Sequence, residues 1–142
     1  PARRAVFTCA PRETAAQKAC AESILTRVAT RAYRRPLTPT DRAALMKFYE
    51  QGARIGGMEG FEDGVRLGLQ AILASPHFIF RFEREPASAK AGSDYKIDDI
   101  ELATRLSFFL WSTIPDERLL TLAQQKRLSQ PAVFQAEVKR MM

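Results

Sequence analysis

The sequence predicts an all-α protein of about six helices in two small helical subdomains. Apolar residues recur at steps of three and four over most of the 142 residues, which is the spacing of one helix face. Residues that favour helix N-caps or first turns precede several of these stretches, and proline follows some of them. Hydrophobic residues make up 46% of the chain and only 7 residues are glycine, so we expect a folded protein with a buried core.

An extended arm, closed by Pro11, is predicted for residues 1–11, and a helix is predicted from about Glu13 to Tyr33. Pro36 ends this helix, because the residue before a proline disfavours α geometry. The helix prediction rests on apolar residues at successive steps of four: Ala16, Cys20, Ile24, Val28 and Ala32.

Two more helices are predicted in the first subdomain. Thr38 and Pro39 are typical of an N-cap followed by a first-turn proline, and they start a helix that ends near Gln51. A glycine-rich connection follows, and a further helix is expected over residues 61–74. The predicted buried side of the helix that starts at Pro39 consists of Leu45, Met46, Phe48 and Tyr49.

Residues 77–83 carry phenylalanine at alternate positions, Phe78, Phe80 and Phe82. In extended geometry the three rings would lie on one face, but no second strand is predicted that could pair with this segment. We therefore expect one extended Phe-rich segment that lies across the helices, and no sheet.

Residues 84–94 are small and polar, and we interpret them as a linker. The linker separates an N-terminal helical subdomain, residues 1–83, from a second helical subdomain, residues 95–142. The first of these subdomains holds the arm and three helices.

The second subdomain begins with the most apolar helix of the chain. Asp98 is predicted to be its N-cap, with Glu101 at the capping-box position three residues later. Pro115 ends this helix and starts the next one, from Asp116 to about Lys126, whose acidic start and basic end suit the helix dipole. Apolar residues surround most of the first helix, so we expect it to be central: Leu102, Leu106, Phe108, Phe109, Leu110 and Trp111.

A last helical face reaches the final residue, and no Gly, Asn or Pro closes it. We therefore expect the second subdomain to be truncated at its C-terminal end and the chain to be a piece of a longer one. No stretch approaches about 18 consecutive apolar residues, so no membrane span is predicted. The first residues lack the apolar region of a signal peptide, so any export signal is expected upstream.

The net charge of +6 is concentrated at the front of the chain, where residues 1–35 hold eight Lys and Arg against two Glu. Arg27, Arg31 and Arg34 would share one face of a continuing helix, with Arg35 beside them. We interpret these four arginines as a partner-docking surface for an acidic face of an adjacent domain or redox partner. Nucleic acid is the lesser alternative, because no recognised nucleic-acid motif accompanies the charge.

Cys9 and Cys20 are the only cysteines. They do not form the C-x-x-C-H pattern that attaches haem c, and a zinc site needs about four ligands where the chain offers one histidine, His77. No cofactor or metal site is therefore predicted in this chain. A disulfide bond and two free buried thiols both remain compatible with the sequence, and export would favour the bond.

No catalytic residue is predicted. His77 has no nucleophile or orienting partner at a recognised spacing, so we expect it to be packed or at the surface. Asp98, Asp99 and Glu101 could form a carboxylate site, but helix capping explains two of the three. The sequence contains neither a Gly-rich phosphate loop nor a nucleophile elbow.

Three long motifs resemble a known pair of domains. They are RAYRRPLT at residues 31–38, FEDGVRLGLQAILASPHFIFRFE at residues 61–83, and YKIDDIELATRLSFFLWSTIPDE at residues 95–117. In this order they resemble two adjacent domains of unknown function from large exported proteins of planctomycetes and related bacteria, often in one chain with a c-type cytochrome domain. The resemblance covers nearly all of the chain.

The resemblance implies a cellular context more than an activity. Phe7-Thr8-Cys9 and the later Cys20 fit the family, which implies a periplasmic or secreted protein with a disulfide bond between Cys9 and Cys20. Haem c is implied only for another part of the parent chain.

Two hypotheses of function follow from the residues and the resemblance together. The favoured one is a non-catalytic helical scaffold or docking module of a larger exported, haem-containing redox protein, engaged in protein–protein interaction for electron transfer. The alternative is part of an enzyme whose active site is completed by missing domains.

Overall fold

In a computed structural model the chain is all-α, as predicted. The structure describes residues 2–9, 11, 13–56, 60–81, 83, 85–87, 89–90 and 92–142. Within these residues there are eight helices and no strand, which is two helices more than the sequence predicted. The two additional helices are short, with five and four residues.

The chain is divided into two compact units, with the boundary between Ile79 and Phe80. The first unit, Pro1–Ile79, contains α1 (Ala2–Val6), α2 (Thr14–Tyr33), α3 (Pro39–Ile55), α4 (Gly60–Ala74) and α5 (Pro76–Ile79). The second unit, Phe80–Met142, contains α6 (Asp99–Trp111), α7 (Glu117–Gln124) and α8 (Pro131–Met141). The described residues between α5 and α6 form neither helix nor strand.

The core of the first unit is centred on α2. Its inward residues follow the helical period and are at most 1% exposed: Ala21, Ile24, Leu25 and Ala29. Residues from α3 and α4 complete this core and are at most 5% exposed: Leu45, Tyr49, Val65 and Ile72.

Glycines allow α3 and α4 to approach each other closely. A Cβ atom on Gly52 would lie 2.6 Å from the carbonyl oxygen of Asp63, and one on Gly64 would lie 2.6 Å from the Tyr49 ring. Only glycine leaves room at these two positions. Gly52 therefore belongs to α3, which continues to Ile55. The sequence-based prediction of a flexible connection directly after Gln51 is wrong.

The core of the second unit is formed by α6, α7 and α8 with the turn between the last two. The Asp98 carboxylate accepts a hydrogen bond from the backbone N–H of Glu101 at 2.8 Å, so the predicted N-cap is confirmed. Asp116 caps α7 in the same way, accepting from Leu119 N–H at 2.8 Å. The buried residues of this core are Ala103, Leu106, Leu119, Ala123, Leu128 and Met141.

The N-terminal arm predicted to be extended contains a helix. α1 occupies five of the residues expected in that arm. A helix this short is not stable by itself, so α1 depends on the contacts that hold it against the rest of the first unit.

The prediction of an extended Phe-rich segment is also partly wrong, because the first residues of that segment form α5. Pro76 occupies the first helical turn, and the Ser75 carbonyl accepts from the N–H groups of Phe78 and Ile79 at 2.9 and 3.1 Å. These backbone hydrogen bonds favour a helical turn over the extended geometry that the alternating Phe residues suggested. Phe78 and Phe80 are 37% and 57% exposed, and Phe82 lies outside the described residues.

Candidate functional site

Arg34 is a buried structural tie and not part of a docking face. α2 ends at Tyr33, and Arg34 follows in left-handed backbone geometry with a φ of 58° and only 6% exposure. Its guanidinium donates hydrogen bonds to the carbonyl oxygens of Ala32 at 3.1 Å, His77 at 2.8 Å and Phe78 at 3.4 Å. The predicted shared face assumed a helix that continues through Arg34, and that assumption is wrong.

Arg35 also serves the fold of the first unit. Its guanidinium donates to both carboxylate oxygens of Asp41, at 2.7 and 3.2 Å, and it lies over the Tyr33 ring. Asp41 in turn forms a capping box with Thr38 at the start of α3, where the sequence predicted the N-cap. The hydrogen bond from Arg35 is the main reason that the pKa of Asp41 lies well below its usual range.

Arg27 and Arg31 are the two members of the predicted docking set that remain exposed. Arg27 donates to the carbonyl oxygens of Ala5 at 2.8 Å and Val6 at 3.0 Å, where it satisfies the C-terminal end of α1. No carboxylate of the described residues lies within ion-pair distance of Arg27 or Arg31. Of the four arginines in the predicted docking surface, two are exposed. This holds whether the predicted partner is an acidic protein or nucleic acid.

Cys9 and Cys20 form a disulfide bond, with 6.0 Å between their Cα atoms. The bond joins the segment after α1 to the buried side of α2, so the predicted bridge is confirmed. Phe7 contacts the edge of the Phe61 ring at a centroid distance of 6.1 Å, and Arg3 pairs with Glu62. The N-terminal segment is thus held by a covalent, an aromatic and an ionic contact.

His77 is packed, in agreement with its sequence-based interpretation. Its ring lies beside that of Tyr33 at a centroid distance of 5.4 Å, and its carbonyl oxygen accepts a hydrogen bond from Arg34 at 2.8 Å. His77 therefore contributes to the contact between α2 and α5.

A surface that sequence reasoning missed lies on α3. It consists of Lys47, Phe48, Gln51, Arg54 and Ile55, which are all exposed, and we call it the α3 outer face. Phe48 is 42% and Ile55 77% exposed, although Phe48 was predicted to be buried. The buried side of α3 consists of Leu45, Tyr49 and Gly52, and Phe48 lies at its edge.

The signal for this face was present in the sequence. Phe48 and Ile55 are seven residues apart, and so are Lys47 and Arg54, which places each pair on one side of a helix two turns apart. The pattern was hidden because Ile55 was assigned to the connection after the helix.

A polar groove of about 320 Å³ lies on the second unit, lined by Arg81, Glu83, Glu101, Thr104 and Arg105. Arg105 donates to both carboxylate oxygens of Glu83, at 3.0 and 2.6 Å, and this hydrogen bonding raises the pKa of Arg105. Arg81 lies over the Phe108 ring at 4.7 Å. These contacts fix residues 81 and 83 against α6.

A charged network joins α7 and α8. Glu137 is 1% exposed and accepts hydrogen bonds from Arg118 at 2.8 Å and Arg140 at 2.7 Å. Arg140 also donates to Asp116 at 2.9 Å and lies over the Trp111 ring. Because a buried carboxylate needs such partners, this network is structural. Sequence reasoning indicated only the charges of the helix ends and missed this network.

Within the part of the chain that the structure describes, no three His, Cys, Asp or Glu residues come together in a way that could hold a metal ion.

None of the described helices combines the length and the apolar character needed to cross a membrane.

Two protein families match successive parts of the chain. Residues 20–83 match PSD5, a protein of unknown function (DUF1595), and residues 97–142 match PSD4, a protein of unknown function (DUF1592). The chain carries these two domains in tandem. Comparisons with curated proteins and with solved structures gave no match.

The end of the PSD5 match does not coincide with the end of the first unit. Residues 80–83 fall within that match but belong to the second unit, where Arg81 and Glu83 contact α6. The α3 outer face, in contrast, lies entirely within the PSD5 domain.

Proposed function

We propose that this chain is a non-catalytic helical scaffold or docking module of a larger exported, haem-containing redox protein. The observation that carries the proposal is the α3 outer face. Two large apolar side chains, Phe48 and Ile55, stand exposed in one row that borders the buried side of α3. Single exposed apolar residues are common, but a row at helical spacing beside cations is typical of a contact surface.

The use of the polar side chains supports a structural role over a catalytic one. Cys9 and Cys20 are joined, Arg34 is taken up by backbone carbonyls, and Asp41 is bound by Arg35. Among the described residues, Asp41 is the one carboxyl group whose pKa is strongly lowered, and a helix cap and an ion pair explain this shift. A protein that uses these groups to hold its own helices in place is suited to position neighbouring domains.

The disulfide bond supports export, because such bonds persist in oxidising compartments. The proposed location is therefore the periplasm or the cell exterior of a planctomycete or related bacterium, as the motif resemblance implies. The proposed partners are adjacent domains of the same parent protein or an acidic redox partner. Haem c, and with it electron transfer, belongs to another part of that parent.

One observation favours the alternative, part of an enzyme whose active site is completed by missing domains. The groove lined by Arg81, Glu83, Thr104 and Arg105 is polar and of a size that holds a small molecule. Its two arginines, however, already have partners in Phe108 and Glu83. This alternative therefore ranks second.

The parent protein, purified from its natural source, tests the proposed context. We expect a mass well above the 16.0 kDa of this chain and the absorption bands of covalently bound haem. A natural protein that has the mass of this chain and lacks haem contradicts the proposal.

Replacement of both apolar residues of the α3 outer face tests the docking role in the same parent protein. The Phe48→Gln/Ile55→Gln variant should keep the haem spectrum, because neither residue belongs to a core. Its thermal unfolding should separate into more transitions than in the unchanged parent, while the 142-residue chain with the same changes melts as before. A parent variant that unfolds like the unchanged protein argues against docking through this face.

A further inference from the structure

We infer that the α3 outer face binds an acidic amphipathic helix. The partner helix places two apolar side chains against Phe48 and Ile55 and two carboxylates near Lys47 and Arg54. This inference rests on the docking role proposed above and adds the chemistry of the partner.

The apolar half of the face has the dimensions of a helix contact. Phe48 and Ile55 are seven residues apart, which corresponds to about 10 Å along α3. Anchors at this spacing match the i and i+7 positions of a helix that lies along α3. Gln51 is exposed between them, so the apolar row is one residue wide.

The charged half of the face is complementary to an anionic partner. Lys47 and Arg54 lie on the other side of Gln51 in projection down the helix, and no carboxylate of the described residues is within ion-pair distance of either one. Glu50, on the same helix, forms its ion pair with Lys18 at 2.7 Å and interacts with Arg54 only through longer-range electrostatics. Among the described carboxylates near the two ends of α3, Asp41 pairs with Arg35 and Asp63 pairs with Arg66.

The same features disfavour two other occupants. A second copy of this chain in a two-fold dimer would bring one pair of cations towards the other, which is repulsive. An anionic membrane surface is bound by helices with a wide apolar face, whereas this one offers two large apolar side chains. An acidic helix satisfies both halves of the face at once.

The test uses the 142-residue chain and two fluorescently labelled synthetic peptides of about 20 residues, long enough to sample a helix in water. Both peptides carry leucine at positions seven apart; one has glutamate along the side of the leucine row and the other has lysine. Fluorescence anisotropy should give a dissociation constant about tenfold lower for the acidic peptide, and added salt should weaken its binding.

Variants assign the binding to the α3 outer face. Ile55→Gln should weaken binding of the acidic peptide about tenfold, and Lys47→Glu/Arg54→Glu should reverse the preference between the peptides. A control variant, Phe109→Gln/Lys139→Glu, removes an exposed aromatic ring and an exposed cation from the second unit and should leave binding unchanged. Circular dichroism of each variant shows whether the helices are kept.

Three results overturn the inference: equal binding of both peptides, an unchanged preference in Lys47→Glu/Arg54→Glu, or binding lost only in the control variant. If the chain binds neither peptide but sediments with phosphatidylglycerol vesicles, the face binds a membrane. If the chain forms a dimer that Ile55→Gln disrupts, the face binds a second copy of the chain. In each of these cases the parent-protein test of Phe48→Gln/Ile55→Gln still decides the docking role separately.

Discussion

The Arg34 guanidinium donates a hydrogen bond to the His77 carbonyl oxygen at 2.8 Å, across 43 residues of sequence and from a side chain that is almost entirely buried. This contact holds α5 against the end of α2. It also explains why an arginine occupies the left-handed position after α2, where glycine would be strain-free. Because its side chain points towards these carbonyl groups, Arg34 is buried and does not lie on the surface.

Arg34→Gln should lower the free energy of unfolding by about 2–4 kcal/mol, because buried carbonyl groups lose a charged donor. Urea denaturation followed by circular dichroism measures this change. Arg31→Gln is the matched control, since Arg31 is exposed one turn earlier, and it should change stability by less than about 0.5 kcal/mol. Equal effects of the two variants would show that Arg34 is not a structural tie.

Reduction of the Cys9–Cys20 bond should destabilise the first unit by about 2–3 kcal/mol, because the closed loop is short. The same loss is expected for Cys9→Ser/Cys20→Ser. Hydrogen exchange should become faster in residues 2–9, which the bond holds against α2. Thiol titration of the unfolded, unreduced protein should find no free thiol, and two equivalents would refute the bridge in the native protein.

The ion pair of Arg35 and Asp41 should make stability fall in acid. Arg35 lowers the pKa of Asp41 below its usual value of about 3.9, so the folded state binds this proton more weakly than the unfolded chain does. Ionised Asp41 therefore stabilises the fold above that usual value, and the contribution is lost as the pH falls from there towards the lower folded pKa.

Urea denaturation at a series of pH values from about 5 to about 2 measures this loss. Asp41→Asn and Arg35→Gln should each reduce it, and the double variant should resemble Asp41→Asn because the two residues act as a pair. If the two single effects add without coupling, the ion pair does not set the pKa of Asp41.

Gly64→Ala should push α3 and α4 apart, because the new Cβ atom would lie 2.6 Å from the Tyr49 ring and 2.7 Å from the Tyr49 carbonyl oxygen. We expect a loss of about 1–3 kcal/mol despite the higher helix propensity of alanine. Gln70→Ala, at an exposed position of the same helix, is the control and should be neutral or slightly stabilising. Thermal unfolding measures both variants, and a Gly64→Ala variant that is more stable than the unchanged chain would contradict the close contact between α3 and α4.

Local signals predicted the six longer helices correctly. Thr38 and Asp98 act as N-caps because their oxygens bond to amides within the next turn, and such contacts depend only on neighbouring residues. The apolar period of α2 likewise depends on its own sequence. These parts of the fold are accessible from sequence because the responsible atoms are close together along the chain.

Contacts between distant residues decided the parts that sequence reasoning missed. Arg34 turns inward because of carbonyl groups on α5, and Phe48 lies exposed at the edge of the side of α3 that packs in the core. In both cases the amino acid type suggested the opposite location. The packing of neighbouring helices therefore decides whether a residue is buried or exposed, even where its amino acid type favours the other location.

The most direct test of docking through the α3 outer face is hydroxyl-radical footprinting of Phe48 and Ile55, which reports side-chain exposure. In the 142-residue chain both residues should be oxidised readily, whereas Leu45, 4% exposed on the same helix, should stay protected as an internal control. In the natural parent protein we expect Phe48 and Ile55 to become protected together, while Leu45 is unchanged. Oxidation of Phe48 and Ile55 at equal rates in the chain and in the parent would contradict it.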